Sequence, residues 1–330
     1  ASIRADGSSV FAPGHKWGYF PAVSIGWVAS KEKFIENIHW ISNLKLRGSY
    51  GALGNNRINQ FQWIDLLYPA NYVSGSGNGG VSSGFIPNRD LLSNEIITWE
   101  RTFSYNGGID ISLFRNAVSL SLDVYQSNTE KLLLNQATLA FTGATTTINN
   151  IGSMKNNGIE LEVTTNNMRK KDFRWSTTGN IAHTTNSITN LGGLDFFLNQ
   201  GERTEVYKNE VGGQLVQFFG YKTDGVWLSQ ADINAAQAAG LTSSLSNVFV
   251  PGGLKLVDIN GDNKIDANDR TVIGNPYPDF TWGITNNLTY KSFDLSFSFQ
   301  GVQGGQLING DANYNETKRY NSNYNQNRWL

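Results

Sequence analysis

The chain has 330 residues, a formal net charge of −1, 39% hydrophobic, 16% charged and 12% aromatic residues, 35 glycines and no cysteine. Scattered basic residues at that balance give no electrostatic surface for nucleic acid, and the missing thiols exclude disulfides, zinc thiolates and cysteine nucleophiles. Low charge with many aromatics and turn-formers favours an all-β chain with long loops, and no run reaches the roughly 18 apolar residues of a membrane helix, which leaves a β-barrel open.

Period-two alternation predicts strands at about 20–29, 43–51, 101–112, 117–126, 157–166, 173–184, 280–290 and 293–301. The fourth sets Val118, Leu120, Leu122 and Val124 against Ser119, Ser121 and Asp123, and the eighth sets Phe293, Leu295, Phe297 and Phe299 against Asp294, Ser296, Ser298 and Gln300. Such strands build either a soluble sandwich with an apolar interior or a membrane barrel with an apolar exterior and polar lumen.

Connection lengths separate these two architectures. "FRN" (114–116), "NMRKKD" (167–172) and "KS" (291–292) are short, as is the dozen or so residues after the first strand, whereas 52–100, 127–156 and 185–279 are long. Outer-membrane barrels show this alternation, with short periplasmic turns on one rim and long external loops on the other. Trp27, Trp40, Trp175, Trp282, Tyr290 and Phe293 fall near strand ends, where amphipathic rings suit lipid headgroups. Asp110, Asp123, Glu160 and Glu162 are then expected to face inward. An open sheet edge cannot face lipid, so the expected fold is all-β, one part of a larger antiparallel transmembrane barrel. Both chain ends read as cut mid-structure.

Within the long connection 185–279, "SQADINAAQAAG" (229–240) predicts one short helix, capped by Ser229 and ended by Gly240. "DINGDNKIDANDR" (258–270) follows, and its oxygens recur at the spacing of an EF-hand-type calcium loop. Asp258, Asn260, Asp262, the Lys264 carbonyl, Asp266 and Asp269 occupy positions 1, 3, 5, 7, 9 and 12 of that ladder. Position 6 holds Asn263 in place of glycine and position 12 a shorter Asp269 in place of glutamate, and the flanks are not helical. The expectation is one structural Ca2+ at a loop without the paired helices of a sensor; an Asx-rich turn without an ion is the alternative.

Catalytic patterns are weak. Glu160 and Glu162 sit two apart on a strand, about 6 to 7 Å along it, a separation found in glycoside hydrolases, but nothing around them forms a pocket. His15, His39 and His183 stand apart from any Ser–Asp or metal-ligand pattern. "GSGNGG" (75–80) lacks the Lys-Ser/Thr and helix context of a phosphate loop and reads as an external loop. The chain is therefore not expected to be an enzyme.

Five motifs in order carry a family resemblance: "RADGSSVFAPGHKWGYFPAVSIGW" (4–27), "LKLRGSYGALGN" (44–55), "NNGIELEV" (156–163), "GYKTDGVW" (220–227) and "DINGDNKIDANDRTVIGNPYPDFTWGITNNLTYKSFDLSFSFQG" (258–301). Nearly the whole chain resembles the second half of SusC/RagA-type TonB-dependent outer-membrane transporters. The resemblance implies a 22-stranded barrel of which residues 1–330 are a part, without the plug, TonB-contacting segment, early strands and closing strand, and with 185–279 as a long extracellular loop region. It implies TonB-dependent import of an oligosaccharide or peptide across the outer membrane of a Gram-negative bacterium of the Bacteroidota. A SusD-type surface lipoprotein, TonB and outer-membrane lipid would be its partners. Asn263 departs from the glycine common in the family's loop. The alternative function is a secreted calcium-stabilised lectin or adhesin, which accounts for the loop and the alternating strands but not for the loop-length alternation or the ordered motifs.

Overall fold

The computed structural model describes residues 1–73, 80–201 and 205–308. The glycine-rich 75–80 stretch, save Gly80, and the final "YNSNYNQNRWL" lie outside the described residues. The chain divides into two compact units, Ala1–Leu194 with Phe280–Val302, and Asp195–Asp279 with the chain from Gln303 onward.

The first unit is built on one large sheet. Its strands are β1 (Ser2–Gly7), β2 (Trp17–Val28), β3 (Ile41–Asn55), β4 (Glu100–Leu113), β5 (Val118–Ala137), β6 (Thr146–Arg169), β7 (Phe173–Leu191), β8 (Pro278–Tyr290) and β9 (Phe293–Gly304). Each bonds to its neighbour in the chain, so strand order equals sequence order, the topology of a meander. The short segment Leu91–Leu92 pairs in parallel with the start of β6. Among the described residues the outer edges of β1 and β9 have no strand partner. The sheet is thus open where a complete barrel would close.

Register aligns the alternation across strands. One face carries the rows Leu44, Ile111, Leu120, Val163, Gly179 and Leu46, Ile109, Leu122, Leu161, Ile181. The opposite face carries Lys45, Asp110, Ser121, Glu162, Asn180 and Arg47, Gly108, Asp123, Glu160, Ala182. A slip of one residue between any two strands would mix these rows, so the segregation itself fixes the register.

The short connections are tight. Phe114, Arg115 and Asn116 all have positive φ (51°, 55° and 61°), as does Lys291 in the β8–β9 turn (51°). At this end of the sheet Trp40 packs beside Phe114 at 6.5 Å, Trp27 beside Phe34 at 6.2 Å, and the Lys291 ammonium lies 5.4 Å from the Tyr290 ring. Trp175 lies near the same end, whereas Trp282 stands opposite Ile181, well up the sheet.

At the far end, strands run longer than the alternation indicates. Much of 127–156, expected as loop, is strand: β5 continues to Ala137 and β6 begins at Thr146. The 52–100 connection holds a hairpin, Leu67–Val73 with Val81–Pro87. It also supplies Ile97 and Trp99 to a buried cluster with Phe11, Phe20 and Ala52. Trp99 meets Phe11 at 5.4 Å and the edge of Phe20 at 5.5 Å, and its indole N–H donates to the Lys16 carbonyl at 3.1 Å. Each aromatic pair contributes about 0.5–1.5 kcal/mol beyond the area it buries, so this cluster ties the ends of β2 and β3 to the approach to β4.

The second unit has its own small antiparallel sheet, Phe196–Gln200, Val206–Glu210, Gln217–Tyr221 and Arg270–Gly274. The helix Gln230–Ala238 forms as expected, with the Ser229 hydroxyl accepting from the Asp232 N–H at 3.2 Å. Ile233 and Ile265 are fully covered, and Trp227 and Val248 nearly so. The connection expected as loop is therefore a folded body with a core of its own.

Candidate functional site

Two features carry polar chemistry: the polar face of the large sheet and the acidic loop of the second unit. On the polar face the central group is Arg47 of β3. Its Nε and Nη2 donate to the two carboxylate oxygens of Asp110 at 2.9 and 3.0 Å, and its Nη1 and Nη2 to those of Asp123 at 3.0 and 2.9 Å. Ser121 Oγ accepts from Nη2 at 3.2 Å and donates to Asp110 at 2.9 Å, while Asn106 Nδ2 donates to Asp123 at 3.2 Å. A guanidinium forked onto carboxylates makes charge-assisted hydrogen bonds roughly twice as strong as neutral ones, with a fixed geometry.

Glycine makes this reach possible. Arg47 stands opposite Gly108 on β4, and Asp123 stands opposite Gly108 from β5. A Cβ on Gly108 would lie 2.7 Å from the Asp123 carboxylate and 2.8 Å from the Arg47 guanidinium. Arg47 therefore crosses a strand to join β3, β4 and β5. The same device recurs one row further along, where the Tyr125 ring lies over Gly158 and its hydroxyl meets Thr184 Oγ1 at 3.0 Å.

All four carboxylates expected on this face, Asp110, Asp123, Glu160 and Glu162, are there. Asp110 and Asp123 are held by Arg47, whereas Glu160 and Glu162 are exposed. Sequence reasoning missed Arg47. The signal was present in "LKLRGS", where alternation sets Lys45 and Arg47 opposite Leu44 and Leu46, but the partners lie 63 and 76 residues away. His15, His39 and His183 belong to different elements of the sequence, with only His183 inside a sheet strand.

In the acidic loop the side chains fold back on the backbone. Asp258 accepts from the Gly261 and Asn263 N–H groups at 2.7 and 2.8 Å, Asn260 from Asp262 N–H at 3.1 Å, and Asp262 from Lys264 N–H at 2.8 Å. Asp266 caps the turn Ala267–Asp269 by accepting from Asn268 N–H at 2.8 Å. That bond, with the Lys264 ammonium at 2.9 Å, holds the Asp266 carboxyl below the ordinary carboxylate range, and Asp266 in turn raises Lys264. Asp269 is 0% exposed and accepts from Ile259 and Asp266 N–H at 2.9 and 2.8 Å. Asn263 adopts the left-handed conformation that position 6 demands, with φ 61°. Lys264–Ile265 pairs in parallel with Thr242–Ser243 through the Asn263 and Ile265 carbonyls, so strand alternation turns the Lys264 carbonyl to the opposite side.

Four aspartates thus share one short loop with a single lysine. Among the described residues no three acidic, histidine or cysteine side chains converge as a ready-made metal cage. Each carboxylate oxygen that accepts one N–H nevertheless keeps a lone pair.

Comparison with known proteins agrees with this geometry. The family model "TonB dependent receptor-like, beta-barrel" matches residues 1–327. TonB-dependent receptor P26 of Formosa agariphila is 36% identical over 313 residues, covering 93% of this chain and 30% of that protein. TonB-dependent receptor SusC of Bacteroides thetaiotaomicron is 29% identical over 312 residues, covering 91% and 29%. The RagAB peptide importer in its closed-closed state has the same fold, with a TM-score of 0.72 at 22% identity, covering 93% of this chain and 32% of that one. The chain spans about 30% of the length of these relatives. By family, sheet order and facial segregation, the chain belongs to the TonB-dependent receptor β-barrels of the bacterial outer membrane.

Proposed function

We propose that this chain is wall and external loops of a TonB-dependent importer, and that the polar face lines the path of an oligosaccharide or peptide. The observation that carries this reading is the row-by-row separation of aliphatic from polar side chains across β3 to β7, combined with the tightest turns, 114–117, 170–172 and 291–292, all lying at one end and the longest connections, 56–99 and 192–277, at the other. A soluble protein has no use for two adjacent rows that are aliphatic at every position but Gly179 on a partly exposed face, whereas a bilayer requires such rows. In this proposal a SusD-type lipoprotein is the surface partner, and TonB supplies energy through parts of the protein outside this chain. The unit Asp195–Asp279 stands on the external side in this reading, within the 185–279 region.

The acidic loop binds Ca2+ in this proposal, through Asp258, Asn260, Asp262, the Lys264 carbonyl, Asp266 and Asp269. Support comes from Asp269, a fully buried carboxylate held by two backbone N–H groups and, among the described residues, by no cationic side chain. An uncompensated buried charge is costly, and a hard divalent ion at the remaining oxygen lone pairs would offset it. Bound there, the ion would rigidify the loop without taking part in transport chemistry.

The test is uptake. Deleting the full-length gene in its native host should abolish accumulation of either labelled peptides or labelled oligosaccharides, and detergent extracts of wild-type cells should yield the protein bound to a surface lipoprotein. Unchanged uptake of both substrate classes, with the protein recovered alone without detergent, would replace the importer with the secreted adhesin.

A further inference from the structure

The apolar face holds a groove that the transport reading does not use. Register places Gly48, Gly107, Val124, Ile159 and His183 in one row across β3 to β7. The row on one side is entirely aliphatic: Leu46, Ile109, Leu122, Leu161 and Ile181. On the other side stand Tyr50, Tyr105, Gln126, Asn157 and Thr185, where the face turns aromatic and polar. The Gly48 row is therefore the boundary between hydrocarbon and headgroup depth. At that boundary lies a depression of about 700 Å3, floored by Gly48 and Gly107 and walled by Tyr105, Val124 and Ile159, with Asn157 at its polar margin.

These two glycines lack the packing reason of the crowded ones, as do Gly51 and Gly179, and they stand side by side across β3 and β4. Gly108 and Gly158 are glycine because a neighbouring side chain fills the space of a Cβ. A Cβ on Gly107 would meet nothing within 4 Å, and one on Gly48 only Ile25 at an ordinary 3.6 Å. Neither has a positive φ. Glycine in a strand interior costs stability, and without a packing or backbone reason it marks close approach by something outside the chain.

We infer that this groove seats an acyl chain of a lipid A-type phosphorylated glycolipid from the outer leaflet. The inference rests on reading the apolar face as lipid-facing and the long-connection end as external. The groove is continuous with the aliphatic rows that meet the bilayer, so hydrocarbon is the medium it opens to. The margin chemistry selects the headgroup: Gln126, Asn157 and Thr185 offer neutral hydrogen bonds suited to sugar hydroxyls and acyl amides, and Lys155, one pleat beyond Asn157 on the same face, offers a cation to phosphate. No carboxylate stands in the Gly48 row or the row beyond it to repel that phosphate.

The experiment is native mass spectrometry of the full-length transporter extracted from its own outer membrane in mild detergent. Wild type should retain one lipid A-type molecule. Gly107→Leu, whose side chain enters the open groove, should reduce retention at least tenfold, while Gly179→Leu, on the same face but outside the groove, should not. Should Gly107→Leu fail to accumulate, the double variant Gln126→Ala, Asn157→Ala leaves the floor intact and should lower retention severalfold. Equal retention by Gly107→Leu and wild type would overturn the inference. So would retention of phospholipid only, or a groove variant whose sole change is loss of a second protein copy. Recovery without detergent would instead refute the membrane reading on which the inference rests.

Discussion

Replacing Arg47 with methionine tests whether the polar wall is stapled across three strands. The variant removes both forked pairs and leaves Asp110 with Ser121 and Asp123 with Asn106 as their remaining side-chain donors. Orphaning a fully buried charge costs about 3–5 kcal/mol and breaking an exposed pair about 0.2–1 kcal/mol. The Arg47 side chain is 31% exposed, Asp110 32% and Asp123 24%, so a loss of about 2 kcal/mol lies between those limits. Urea unfolding of the full-length protein in detergent reads it. Adding Asp110→Asn and Asp123→Asn to Arg47→Met should recover more than half of the loss, because the orphaned charges go with the partner. Gly108→Ala should cost a similar amount and add little to Arg47→Met, since both break the same crossing. A single variant within about 0.5 kcal/mol of wild type, or a triple variant less stable than the single, would refute the staple.

Three further outcomes are expected. Leu120→Lys, on the aliphatic face, should cost about 2–4 kcal/mol and block outer-membrane assembly, whereas Glu162→Lys on the polar face should assemble normally; equal behaviour would show that neither face meets lipid. Calcium at about 100 times its Kd should raise the stability of the second unit by about 2.7 kcal/mol, and the double variant Asp258→Ala, Asp262→Ala should lose that increment on top of a smaller deficit in chelator from its lost backbone hydrogen bonds; an equal deficit with and without calcium removes the ion from the account. Burial and the adjacent Glu205 raise the Tyr207 hydroxyl above the ordinary tyrosine value, so its contribution is complete below a pH of about 10 and is lost as pH climbs through the raised value. Tyr207→Phe should accordingly flatten that alkaline decline in the unfolding midpoint, and a slope identical to wild type would show that Tyr207 does not titrate differently on folding.

How much of this was legible depended on whether the two sides of a segment face different media. Val118–Val124 and Ile159–Val163 alternate cleanly, with aliphatic side chains on one face and polar ones on the other, and their strands and faces came directly from sequence. Beyond Gln126 and before Asn157 the apolar residues do not alternate, as in "SNTEKLLLNQA" with its consecutive leucines and "TTINNIGSMKN" with Ile148 and Ile151 three apart, so the continuation of β5 and β6 left no period of two to read. Local devices were readable, among them the Ser229 cap and the left-handed turn at Asn263, because each is fixed within a few residues. The Arg47 network was not, since its geometry exists only after β3, β4 and β5 have come into register. The burial in the second unit escaped for a related reason: Trp227, Ile233, Val248 and Ile265 are scattered singly through a polar stretch, and each is covered only once the unit has folded.

The central claim is that the two faces of this sheet meet different media, and nitroxide scanning along β6 tests it most directly. Spin labels placed singly at positions 159 to 163 of the full-length protein in membranes report collision with oxygen, which concentrates in lipid, and with a water-soluble nickel chelate. The account predicts opposite phases: oxygen maxima at 159, 161 and 163, and nickel maxima at 160 and 162. Matching phases for the two reagents, or nickel access equal at all five positions, would contradict it and return the chain to a water-soluble fold.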